Sequence, residues 1–189
     1  MQLNLKGKKI LIAGIHGSGK TILAKDISKG FKTAVYTPYP EEWKHEPVLL
    51  FEFTDFVNDF PLICRKIKQL ALEKKITLFI VDDADILFKT HFDVKQSVRE
   101  MVISHRHWNN LSLAFVTRRI QDIPAKIYGV CEFKALYTID SPQAIDLLNK
   151  MHEELGDKVK AIPYESYNFY LKKIGEEPRL MKVELPEKT

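Results

Sequence analysis

Residues 9 to 21 read KILIAGIHGSGKT, an apolar run that breaks into a glycine loop and passes at once into helix-forming residues. No other stretch restricts the fold so strongly. Gly14, Gly19, Lys20 and Thr21 satisfy the spacing G-x-x-x-x-G-K-[ST], with a strand expected before the loop and a helix after it. A backbone that curls its N–H groups around phosphate needs glycine wherever a Cβ would collide or φ must be positive. Gly14, Gly17 and Gly19 meet that need, with Ser18 between the last two. Lys20 offers positive charge to the β and γ phosphates, and Thr21 offers a hydroxyl to Mg²⁺. The helix from Lys20 aims the positive end of its dipole at the anion. The loop therefore predicts bound ATP and Mg²⁺. His16 reads as a variable position inside it.

From Lys8 to about Gly156 short apolar runs alternate with helix-like segments, which predicts an α/β domain with a mainly parallel central sheet flanked by helices. The expected strands are 9–14, 33–37, 48–53, 76–82, 111–117 and 134–139, continuous apolar runs of the kind buried on both faces. Expected helices run from Lys20 to Lys29, stopped by Gly30, from Pro61 to Lys74, from Asp93 to His107, and from a Ser141 cap with Pro142 to Gly156. The stretch around YNFYLKKIGEEPRLMKVEL changes to an alternating period and predicts a C-terminal β-hairpin over 164–185, turning at Gly175-Glu176. It is an edge addition to a single domain over 1–189 whose core spans 8–156.

Composition, with 45% hydrophobic and 29% charged residues, is that of an ordinary globular protein. A net charge of +4 suits an acidic partner without identifying one. The two cysteines, Cys64 and Cys131, match no metal or redox spacing and read as buried thiols of a reducing compartment. The apolar run after the N-terminal lysines is too short for a signal peptide, and no segment has the length of a membrane span. A cytoplasmic protein is expected, which makes the Asn110-Leu111-Ser112 sequon fortuitous.

ITLFIVDDAD, residues 76 to 85, is an apolar strand ending in carboxylates, and α/β sheets bind ligands at that edge. Successive strand residues point opposite ways, so Asp82 is assigned to orient Mg²⁺ through its water shell and Asp83 to take a proton from, or position, an attacking water. Asp85 is read as a cap or surface residue. A second apolar strand, LSLAFVT, runs straight into Arg118 and Arg119. Were that strand to lie between the phosphate-loop strand and the acidic strand, it would deliver its C-terminal residues to the γ-phosphate, where a guanidinium meets the charge that develops in phosphoryl transfer.

The phosphate loop, the LFIVDD strand, RHWNNLSLAFVTRR and KALYTI together resemble the FtsK–HerA superfamily of DNA-pumping ATPases, which includes viral genome-packaging ATPases. The resemblance covers roughly residues 8 to 150. It implies a RecA-like (ASCE) P-loop NTPase, with Lys20 and Thr21 as phosphate and Mg²⁺ ligands and Asp82 as the metal-orienting acid. It also implies Thr117 as a sensor threonine and Arg106 as an arginine that reaches a neighbouring subunit's nucleotide. Three positions depart from the pattern. Asp83 stands where a glutamate is usual, Arg118 where a glutamine is usual, and Thr37 where an aspartate is frequent. Arg118 becomes a candidate γ-phosphate sensor within its own subunit, and Arg119 a structural residue.

The resemblance implies an ATP-hydrolysing motor that translocates double-stranded DNA as a homo-oligomeric ring, a pentamer or hexamer. The small size points to viral or plasmid genome packaging, with a capsid vertex or a membrane protein as docking partner and the host cytoplasm as compartment. Two other readings stand beside it: a small P-loop kinase for a nucleotide or metabolite, and a slow nucleotide-dependent assembly switch, which the missing glutamate keeps open. Basic residues on the 61–74 helix and in LKKIGEEPRLMK are candidates to line a DNA channel, against the alternative of solvated faces. His91, His105 and His107 do not face one direction and are not read as a metal site. Trp108 is expected in the core or an interface.

Overall fold

The computed structural model describes residues 4–53, 55–88 and 92–183. In chain order the elements are β1 (Lys9–Ala13), α1 (Lys20–Ser28), β2 (Thr33–Thr37), β3 (Leu49–Glu52), α2 (Phe56–Leu72), β4 (Leu78–Val81), α3 (Asp85–Phe88), α4 (Phe92–Ser104), β5 (Ser112–Thr117), α5 (Ala125–Tyr128), β6 (Phe133–Leu136), α6 (Pro142–Met151), α7 (Leu155–Lys160), β7 (Asn168–Lys173) and β8 (Arg179–Lys182). They form one eight-stranded sheet in the order β3-β2-β4-β5-β1-β6-β7-β8. The strands from β3 to β6 are parallel, whereas β7 and β8 form the expected hairpin antiparallel to β6.

The inner parallel strands are buried because both of their faces are covered, whereas β3, at the sheet edge, is partly exposed. Leu11, Ala13, Tyr36, Phe79, Val81, Leu113 and Phe115 pack into one core with α2, α4, α6 and α7. Their sequence neighbours Ile10, Ile12, Val35, Leu78, Ile80, Ala114 and Val116 pack into a second with α1 and the hairpin residues Phe169 and Val183. This is the period-two alternation of a strand with apolar residues on both sides. Cys64 and Cys131 are free buried thiols, and Trp108 is a core residue. Among the described residues no helix is long and apolar enough to cross a membrane.

Two helix boundaries differ from the sequence reading, each for a local reason. Helix α2 begins at Phe56 rather than Pro61, because Asp55 caps it by accepting from the Asn58 N–H at 3.5 Å while Asp59 accepts from the Asp55 N–H at 2.8 Å. Pro61 therefore lies inside the helix and not at its first turn. The segment after Ser141 is not one helix to Gly156. It breaks after Met151 and resumes as α7, inside which Gly156 is buried. A Cβ on Gly156 would lie 2.2 Å from the Ile145 carbonyl oxygen, so this glycine permits α6 and α7 to touch rather than stopping a helix.

Strand register decides what meets at the sheet's C-terminal edge. β5 lies between β4 and β1, the position the resemblance implied, with Val81 opposite Phe115 and Ala13 opposite Thr117. The Gly14 N–H continues the ladder to the Thr117 carbonyl at 3.3 Å, and the Ala84 N–H bonds the Val116 carbonyl at 2.8 Å. Arg118 is thus the first residue past the edge, between the phosphate loop and the carboxylates that follow β4.

Candidate active site

The loop after β1 folds as its glycines require. Gly19 precedes α1 with φ 102°, and a Cβ there would sit 2.8 Å from the Tyr167 ring. A Cβ on Gly14 would sit 2.5 Å from the Tyr137 Cβ. Both positions therefore exclude a side chain. The loop opens into a cavity of about 360 Å³ lined by His16, Gly17, Gly19, Lys20, Thr21, Ile22, Tyr39, Glu42, Asp82, Asp83, Arg118 and Tyr167. Lys20 is buried, and its Nζ donates to the Ile15 carbonyl within the loop at 2.7 Å. Burial lowers its pKa to about 8, against the opposing pull of Asp83 and Asp82.

Asp82 and Asp83 diverge, as neighbours at a strand end should. The Asp82 Oδ2 accepts from the Thr37 hydroxyl at 3.1 Å and the Trp43 indole N–H at 3.4 Å, and its Oδ1 accepts from the Asp83 N–H at 3.1 Å. Each carboxylate oxygen has two lone pairs, so Oδ1 keeps one for a further donor such as a metal-bound water. Burial, then the Asp83 charge, raises the Asp82 carboxyl above its ordinary range. The donor set fits Mg²⁺, a hard cation that keeps its waters and takes few protein ligands besides phosphate oxygens. Thr21 and Asp82 are the residues that would hold it.

Asp83 sits in the left-handed region at φ 49°, a conformation uncommon outside glycine. Its Oδ2 accepts from the Arg118 Nη2 at 3.1 Å. Burial raises the Asp83 carboxyl, and the Arg118 guanidinium pulls it part of the way back. Arg118 remains 42% exposed and lines the cavity.

Asp85 is not a surface residue. It is 5% exposed, and its Oδ1 accepts from the Thr117 hydroxyl at 2.9 Å and from the Arg118 N–H at 3.4 Å. Thr117 is fully buried, donates its proton to Asp85 and accepts from the Arg119 N–H at 3.1 Å. It does not reach the cavity wall. Thr117 and Asp85 instead brace the turn that presents Arg118, and the Arg119 side chain is exposed.

The structure separates Arg106 from this cluster. Its Nε donates to the Gly7 carbonyl at 3.2 Å and its guanidinium pairs with Glu132, both at the opposite edge of the sheet where β1 begins. At ~3.3 Å per strand residue, that edge lies roughly 20 Å from the phosphate loop of the same chain. His105 is buried beside it, with Nδ1 at 2.6 Å from the Leu111 carbonyl and Nε2 at 3.0 Å from the Lys9 Nζ, whereas His107 is exposed. His91 lies outside the described residues, and among those described no group of three or more His, Cys, Asp or Glu residues is placed to hold a metal ion.

Sequence reasoning missed Tyr39, Glu42 and Trp43, which follow β2, and Tyr167, which precedes β7. The rule that loops at the C-terminal edge of a parallel sheet converge on the ligand would have pointed to TPYPEEW, but nothing in that stretch forms a motif.

Fold and cavity together define the chain as a P-loop NTPase fold with a strand inserted between the phosphate-loop and acidic strands and an antiparallel hairpin at one edge. The genome-packaging NTPase B204 of Sulfolobus turreted icosahedral virus 2, solved with ATP-gammaS, superposes with a TM-score of 0.80 at 18% identity, over 97% of this chain and 100% of that one. The DNA-packaging ATPase B204 of Sulfolobus turreted icosahedral virus gives 0.79 at 18% identity, over 96% and 100%. ATPases 2 and 3 of EssC from Geobacillus thermodenitrificans give 0.63 at 15% identity, over 98% of this chain and 41% of that one. No protein-family model and no curated protein sequence matches. At these identities the likeness shows a shared fold.

Proposed function

We propose that this chain hydrolyses ATP and couples the reaction to movement of double-stranded DNA, as a ring of identical subunits that packages a viral or plasmid genome. The observation that carries the reading is the single cavity onto which Lys20, Thr21, Asp82, Asp83 and Arg118 converge. Lys20 and Arg118 bring positive charge to it for the phosphates, beside carboxylates that can meet a cation and a water. In this reading Lys20 leaves the Ile15 carbonyl to meet the β and γ phosphates. Mg²⁺, when bound, neutralises phosphate charge. Asp83, whose burial favours accepting a proton, orients a water that attacks the γ-phosphorus and takes its proton as the bond to the β-phosphate oxygen breaks. Arg118, held at the cavity by Asp85 and Thr117, stabilises the charge that develops on the transferred group.

Arg106 supports the ring reading by its position. It lies too far from its own phosphate loop to reach it, and its side chain is 59% exposed at the other edge of the sheet. Any nucleotide it touches belongs to another copy of the chain. The likeness to B204 supports DNA as the polymer, and the capsid vertex or a membrane protein as the docking point in a host cytoplasm belongs to the same proposal. Purified protein should show ATP hydrolysis stimulated by duplex DNA, and a native mass measurement with an ATP analogue and duplex DNA should show a pentamer or hexamer. Oligomeric protein whose hydrolysis ignores DNA would remove the motor reading.

The assembly-switch reading retains one specific support. Asp83 is engaged by Arg118 at 3.1 Å, a base that must be released before it can act. Asp83→Glu separates the two. We expect slower turnover, because the site is closed around the shorter carboxylate; a large gain would mark a switch with suppressed hydrolysis.

A further inference from the structure

The cavity has two chemically different ends, and strand order lays them out. Tyr39 follows β2, Asp82 and Asp83 follow β4, and Arg118 follows β5, all on one side of β1. On the other side lie β6 and β7. Because β7 runs antiparallel, its beginning sits at the same edge as the ends of the parallel strands, and this brings Tyr167 to the cavity. A triphosphate whose γ end lies among Lys20, Asp82, Asp83 and Arg118 must extend its nucleoside away from them, toward Tyr167, Ile22 and His16.

Tyr167 is held there at some conformational cost. It adopts φ 56° and Glu165 adopts φ 57°, both in the left-handed region, which is uncommon for a bulky side chain. Such strain persists only where the surroundings enforce it. Here the enforcement comes from the hairpin. The Val183 N–H bonds the Tyr167 carbonyl at 3.1 Å, and Phe169 is buried against Tyr137 with ring centroids 5.0 Å apart. Tyr137 in turn touches Gly14 and Gly19, so the hairpin is wedged onto the phosphate loop.

We propose that the C-terminal hairpin is part of the nucleotide site and that Tyr167 stacks on the nucleobase of a purine nucleoside triphosphate. This rests on the nucleotide reading above and adds the group that recognises the nucleoside. A flat aromatic face binds a base through its ring area, so it favours large bases without choosing between adenine and guanine. Lys20, Arg118 and the carboxylates lie at the other end of the ligand.

The test measures binding of ATP, GTP and inorganic tripolyphosphate by calorimetry to wild type, Tyr167→Ala and Tyr167→Phe. Tyr167→Ala should lose roughly tenfold for ATP and a similar factor for GTP. It should keep wild-type affinity for tripolyphosphate, which also shows that the phosphate loop is intact. Tyr167→Phe should match wild type throughout. Unchanged ATP affinity in Tyr167→Ala, or an equal loss for ATP and tripolyphosphate, would overturn the proposal and leave the hairpin a structural support. Wild-type protein that binds neither ATP nor tripolyphosphate would remove the nucleotide reading beneath it.

Discussion

Both ends of the β-sheet gather opposite charges, and the two clusters have opposite characters. At the C-terminal edge Lys20, Asp82, Asp83 and Arg118 surround a cavity with capacity to spare. Arg118 meets one carboxylate oxygen while 42% exposed, and Asp82 retains a lone pair. At the N-terminal edge Lys9, His105 and Glu132 use one another up, while Arg106 shares Glu132 and stays 59% exposed. Glu132 accepts from the Lys9 N–H at 2.8 Å, lies 3.5 Å from the Lys9 Nζ and pairs with Arg106. Burial opposes ionisation there, yet these partners hold Glu132 below the usual carboxylate range, and burial lowers the pKa of His105. Charge in a fold becomes chemistry where partners are missing and architecture where they are present.

The comparison can be broken at either end. The largest effect is expected for Arg118→Ala, which should reduce turnover by about a thousandfold while ATP still binds; a change confined to KM would return Arg118 to the role of an ion-pair partner. Next, Asp83→Ala should lower hydrolysis by roughly a hundredfold or more with nucleotide affinity retained, read by single-turnover kinetics.

A pH titration examines Lys20. Its pKa in the free protein is about 8, lowered by burial, and bound phosphate favours the charged form. Below pH 8 the lysine is already charged and affinity should be flat. Above it, binding must take up a proton, so affinity should fall by up to about tenfold per pH unit, with proton uptake visible in buffers of different ionisation enthalpy. A flat profile to pH 9.5 would mean that Asp82 and Asp83 keep Lys20 charged unaided.

At the other edge Glu132→Gln should cost stability and not affinity. Leaving the buried Lys9 ammonium without its carboxylate should destabilise by about 3 kcal/mol, a melting shift of roughly 10 °C, with ATP binding unchanged. The smallest effect on the isolated subunit is expected for Arg106→Ala, whose own side chain is 59% exposed. In an assembled ring that variant should lose hydrolysis, and mixing it with Asp83→Ala should restore part of it. A mixture that recovers nothing would confine Arg106 to the structural cluster.

The parts of this molecule that were legible in the chain are those governed by local rules. GIHGSGKT carries its own conformational demand, and each parallel strand announces itself because both faces are apolar. The insertion of β5 between β4 and β1 was implied by the family resemblance and not by LSLAFVT itself, and the sheet order agrees with it. What misled was local grammar under tertiary override. Pro61 looked like a helix start and Gly156 like a helix stop, but a cap at Asp55 and a contact with Ile145 decide those sites. Asp85 looked like a cap or surface residue because an acidic run such as DDAD suits the start of a helix.

The sequence by itself determined that a polyphosphate cradle opens a parallel α/β sheet, because glycine placement and strand-helix order are properties of consecutive residues. Only the tertiary structure decided which side chains share the cavity. Thr117 turned inward to Asp85, Arg118 settled on Asp83, Arg106 went to the far edge, and Tyr167 arrived from the hairpin. These outcomes depend on register, on strand direction and on which lone pairs remain open after packing, quantities that exist only once distant segments meet.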